Sequence, residues 1–122
     1  MRATRPEHWS VDAGDADVAT LTVPAVLGRD RVFEIDLRFV VQTPESGSAP
    51  WLAVRLDLNG AQAWQRRIPA QCPGETDNLE FHCRRTVAEG QALRLRAVTQ
   101  VGGGVRRQRL RLDAEEVSDG EP

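Results

Sequence analysis

Apolar and polar residues alternate along most of this chain. Residues 31–42 (RVFEIDLRFVVQ) set Phe33, Ile35, Leu37, Phe39 and Val41 against Val32, Glu34, Asp36, Arg38 and Val40. A two-residue period turns one side of an extended strand inward and leaves the other in water, so a β-strand is predicted here. The same period returns between Leu79 and Ala114, where three more strands are predicted. In the first, Leu79, Phe81, Cys83 and Val87 point inward against Glu80, His82, Arg84 and Thr86, and Arg85 interrupts the inward series. In the second, Leu93, Leu95, Ala97 and Val101 oppose Arg94 and Arg96. After three glycines, Leu110, Leu112 and Ala114 oppose Arg107, Arg109 and Arg111 in the third.

The first half gives shorter signals. His8, Trp9 and Val11 fit an edge strand, and Val18–Val23 fits a short strand stopped by Pro24, which has no N–H to give a ladder. Residues 43–50 (TPESGSAP) are turn formers and are expected to form an exposed loop. Residues 51–68 read as a hairpin around Asn59-Gly60. A two-residue loop would pair Leu58 with Ala61 and put Leu52, Val54 and Leu56 on the face of Ala63, Gln65 and Arg67. A three-residue loop with Gly60 left-handed and a bulge puts them instead with Trp64 and Ile68, and that register is the one predicted.

Seven or eight short strands separated by turn signals, with no amphipathic helix longer than a turn or two, predict an all-β fold. The architecture expected is a two-sheet antiparallel β-sandwich of jelly-roll or immunoglobulin-like kind. With no tyrosine for a corner and Cys72 and Cys83 only eleven positions apart, the jelly roll is preferred. The expected layout is a polar N-terminal arm or edge strand over 1–17, the sandwich over 18–114, and a flexible acidic tail over 115–122.

Composition narrows the function. Apolar residues make up 40% of the chain and charged residues 28%, an ordinary globular balance. No apolar run is long enough to span a bilayer, and the N-terminus lacks the apolar core of a secretory signal. A cytoplasmic location is therefore expected, or secretion if the chain is a fragment of a longer precursor. Cys72 and Cys83 are expected to be free thiols. All sixteen cations are arginine, as the codon bias of a GC-rich genome would produce. Their distribution is uneven: residues 29–112 carry fourteen arginines and nine acids, whereas 113–122 carry five acids and no arginine. A basic body thus adjoins an acidic tail.

The outward arginines of the last two strands are the leading candidate contact surface. If those strands pair directly, Arg94 and Arg96 stand beside Arg109 and Arg111, and Arg107 is expected on the same outward side. Like charges opposed across a ladder destabilise it, and an anionic ligand or acidic partner would relieve them. Glu34 and Asp36 on a neighbouring strand, the acidic tail, or separation of the two strands into different sheets would relieve them equally. Trp51, beside the 43–50 loop, is the candidate for stacking on a ligand. Asp12, Asp15 and Asp17 around Gly14 are the one set of carboxylates that a calcium ion could gather, at a spacing unlike an EF-hand. No P-loop, dinucleotide or G-x-S-x-G motif occurs, and His8 and His82 are too few for a multi-histidine metal site. No cofactor, catalytic residue, nucleic acid or membrane is expected.

The alternating strands, the turn in AEGQALRLRA before the penultimate strand, and the leucine-rich terminal strand resemble jelly-roll accessory modules of the carbohydrate-binding type over residues 18–114. The resemblance implies a sandwich and carries no binding residue onto this chain. The function expected is that of a protein-interaction or assembly module acting through the arginine face, with self-association among the partners. The alternative is a module for an acidic sugar or polysaccharide.

Overall fold

Eight strands make up about two-thirds of the computed structural model, which describes residues 5–46 and 49–117. They are β1 (His8–Asp12), β2 (Val18–Val23), β3 (Arg31–Gln42), β4 (Trp51–Leu58), β5 (Ala61–Pro69), β6 (Thr76–Val87), β7 (Leu93–Gly102) and β8 (Arg106–Glu116). Each forms where alternation gives the chain one apolar side to bury. β3 is the plainest case: Phe33, Ile35, Leu37, Phe39 and Val41 are all essentially inaccessible.

The strands pair antiparallel as β1 with β8, β2 with β7, β3 with β6 and β4 with β5. That is the ladder of one long hairpin. The hairpin is rolled up so that β8 also pairs with β3, and β7 with β4. The result is two four-stranded sheets, β1-β8-β3-β6 and β2-β7-β4-β5, the jelly-roll arrangement. Between them Ile35, Leu37, Phe39, Leu110 and Leu112 meet Leu21, Leu52, Leu56 and Leu95 in one core. Burying a side chain of that size stabilises the fold by about 1.5–3 kcal/mol, so the β3–β8 pair is its backbone.

Three local expectations are corrected. The β4–β5 connection is a two-residue turn, with Asn59 and Gly60 both at positive φ (50° and 82°) and Leu58 paired with Ala61. The expected bulge lies one step further on, at Ala63, and it restores the expected faces by pairing Leu56 with Trp64 and Leu52 with Ile68. In β8 a second irregularity pairs Val40 with Arg109 but Val41 with Arg107, leaving Gln108 extra. Arg107 is thereby moved to the inward side. Finally, β8 runs on to Glu116, so Glu115 and Glu116 belong to the sandwich and not to a tail. Residues 118–122 lie outside the described part.

Glu116 is held in place by an ionic clasp at one end of the sandwich. Arg31 is the first inward residue of β3 and only 1% exposed. It donates to Glu7 at 2.9 and 3.1 Å and to the Pro24 and Gln91 carbonyls at 2.8 and 3.3 Å. Arg29 pairs with both Glu7 and Glu116. Burial works against ionisation of Glu116, but the Arg29 hydrogen bond, the Glu7 amide and the fields of Arg29 and Arg31 outweigh it and hold its pKa below the usual glutamate value.

Candidate basic face

Alternation decides which residues of each strand face outward, and sheet order decides which of them meet. On the β1-β8-β3-β6 sheet the outward rows are Asp12–Arg111–Arg38–Glu80, Ser10–Asp113–Asp36–His82 and His8–Glu115–Glu34–Arg84. Every β3–β8 pair in these rows joins like charges. Relief comes from their neighbours: Arg84 donates to Glu34 at 2.5 Å, His82 bonds Asp36 at 2.8 Å, Arg111 donates to Asp113 at 2.8 Å and His8 bonds Asp113 at 3.2 Å. Arg109 pairs with Asp12 at 3.3 Å. The Arg84 hydrogen bond lowers the Glu34 pKa, and Asp113 raises that of Arg111. At Asp113 burial opposes ionisation, yet the bonds from Arg111 and His8 prevail and its pKa falls.

The outward face of β2-β7-β4-β5 is different in kind. Its charged residues are Arg94 and Arg96 on β7, Arg55 and Asp57 on β4, and Arg67 on β5. Arg55 donates to Asp57 at 2.9 Å. Arg94 and Arg96 make no ion pair among the described residues. Arg55, Asp57, Arg96, Gln65 and Gln100 surround a hollow of about 330 Å³ floored by Ala53 and Val98. Small apolar side chains keep the floor low, and long polar ones form the walls.

Trp51 stands at one end of this face. Its indole lies against Gly102 on β7, where any Cβ would overlap the ring, and the Arg67 guanidinium sits 3.8 Å from the ring centroid. Glycine at 102 is therefore what lets the indole lie flat. The cation over its face is a favourable π contact in its own right.

Of the residues singled out from the sequence, Arg94, Arg96 and Trp51 share this face, whereas Arg109 and Arg111 lie on the opposite one. The expected single arginine surface does not form, because the 102–104 glycine turn carries the chain from one sheet to the other instead of closing a hairpin. Arg107 leaves both surfaces. It donates to the Thr99 hydroxyl at 2.9 Å and the Thr99 carbonyl at 3.1 Å, tying the sheets together. Asp12 accepts from the Gly14 amide and pairs with Arg109, and among the described residues no group of three or more His, Cys, Asp or Glu is gathered for a metal. Trp64, expected in the core, stacks on Phe81 at 4.6 Å where β5 meets β6. Cys72 and Cys83 are free thiols, and burial pushes the Cys83 pKa up.

Sequence reasoning missed Arg55, Gln65 and Gln100 because their role depends on which strands adjoin. It also missed the clasp, although Arg31 has the parity of Phe33 and Ile35, and an arginine on an apolar side calls for a buried carboxylate.

No protein-family model matches the sequence, and no curated protein does. Among solved structures, the chain is similar to Eiger TNF from S. frugiperda, at 9% identity and a TM-score of 0.54, over 99% of this chain and 97% of that one. It is similar to dimeric latent PorU from Porphyromonas gingivalis, at 11% identity and a TM-score of 0.53, over 88% of this chain. The match spans only 11% of PorU. A family 35 carbohydrate-binding module from Clostridium thermocellum aligns at 9% identity over 89% of this chain and 98% of its own, with a TM-score of 0.42. The likeness to Eiger TNF and PorU is a likeness of fold alone, and among the described residues no helix is long and apolar enough to cross a membrane.

Proposed function

We propose that this domain is a non-catalytic interaction module whose contact surface is the outer face of β2-β7-β4-β5, and that it engages an acidic protein surface there. One observation carries the reading: among the described residues this face holds Arg55, Arg67, Arg94 and Arg96 against a single carboxylate, Asp57. Unmated guanidinium groups are forked donors of fixed shape, suited to carboxylates and to other oxyanions. Nothing in the arrangement calls for a nucleophile or base. The hollow supports a second reading, an acidic sugar, because Gln65 and Gln100 stand beside Arg55 and Arg96 and would bond hydroxyls next to a uronate or sulfate.

Titration with polyglutamate, and separately with polygalacturonate and a neutral polysaccharide, tests both. The interaction reading expects binding of polyglutamate that weakens as salt rises. Arg96→Gln should weaken it about tenfold, the loss of one charge-assisted hydrogen bond. Retention of polygalacturonate alone would select the sugar reading, and binding of neither anion would overturn both.

A further inference from the structure

A sandwich of two open sheets has four edge strands, and three of them here are guarded against pairing. β1 and β2 have only five and six residues. β5 is broken by the bulge at Ala63 and ends in Pro69. β6 is the exception: twelve residues in unbroken register with β3, without proline, glycine or bulge. Its other side pairs with no strand among the described residues, since β6 ends the sheet order. A long regular edge of this kind is a template for another strand.

The side chains of β6 say which strand fits. Its inward residues are Asp77, Leu79, Phe81, Cys83, Arg85 and Val87; Val87 lies in the core, and the five before it run from acid through apolar to base. Phe81 and Cys83 are only partly covered by the core, and Trp64 stacks on Phe81 at this open side. We propose that β6 pairs antiparallel with β6 of a second copy about a two-fold axis at Phe81. Phe81 then faces Phe81 of the other copy, Leu79 faces Cys83, and Asp77 faces Arg85, the last two pairs each formed twice. On the outer side Glu80 faces His82 and Asn78 faces Arg84, so no like charges are opposed. Arg85 makes no ion pair within its own chain among the described residues, and Asp77 would supply one.

Other registers fail on the same residues. Centring on His82 sets Leu79 against Arg85 and Asp77 against Val87, and centring on Glu80 or Arg84 opposes like charges at the axis itself. The chosen register also brings two Trp64–Phe81 stacks together and covers the open sides of both sandwiches. The contact is isologous, so it closes at two copies. It leaves the basic face free, and the proposal stands or falls independently of that face.

The test is a charge swap read by light scattering over a wide range of protein concentration, with circular dichroism confirming the fold of each variant. Wild type should approach twice its monomer mass as concentration rises. Asp77→Arg alone and Arg85→Asp alone should each remain monomeric, since each opposes like charges at both ends of the contact. An equimolar mixture of the two should recover the dimer, because Arg then meets Asp at both ends. A wild type that stays monomeric throughout, single variants that dimerise as well as wild type, or a mixture that stays monomeric would each overturn the proposal.

Discussion

On the outer face of β1-β8-β3-β6, Arg84, Arg109 and Arg111 each hold a carboxylate. On the outer face of β2-β7-β4-β5, Arg94 and Arg96 hold none among the described residues. The first face carries five arginines (Arg38, Arg84, Arg106, Arg109 and Arg111) among six acids, and the second carries four beside one, counted over the described residues. The lesson is that an arginine-rich strand announces little until its neighbours are known. Arginine set among acids belongs to the sheet's own charge lattice, and only arginine left over is available to a partner.

The contrast can be sharpened most by removing the arginine that is itself buried. Arg31→Ala should cost about 2–5 kcal/mol in chemical denaturation, since it empties the site of a large buried side chain and leaves the Pro24 and Gln91 carbonyls without their donor. Arg94→Gln and Arg96→Gln should stay within about 0.5 kcal/mol of wild type. Equal losses at all three positions would erase the distinction. Next in size is Gly102→Ala, which forces the Trp51 indole out of its place. It should cost about 1–3 kcal/mol, shift tryptophan fluorescence and disturb the Trp51 end of the basic face.

A smaller effect is the pH dependence of the clasp. The folded pKa of Glu116 is depressed, so its contribution is fully present above the ordinary glutamate pKa and is lost as pH falls through the folded one. The Tm gap between wild type and Glu116→Gln should therefore be widest near neutrality and close on acidification. A gap independent of pH would show that Glu116 acts by packing alone. Smallest of all is Arg84→Gln on the mated face, an exposed pair whose loss should lower Tm slightly and leave anion binding unchanged.

Much of the fold was legible because alternation is a local signal. Phe33 to Val41 and Leu93 to Ala97 announce their buried sides without reference to anything else. What alternation cannot carry is which sheet a strand joins. The outward parity of Arg94 and Arg109 was right, yet their juxtaposition was wrong because the 102–104 turn crosses between layers. Arg107 fails for a related reason, as one extra residue at Gln108 reverses parity and sequence does not mark it. The Asn59-Gly60 turn was visible in its residue types, while the bulge that corrects its register sits at an unremarkable alanine.

Chemical-shift mapping with polyglutamate tests most directly whether the basic face is the contact surface. The account predicts shifts concentrated at Arg55, Arg94, Arg96, Val98 and Gln100, fading as salt rises. Shifts concentrated instead at Arg38, Arg109 and Arg111, or none on either face, would contradict it.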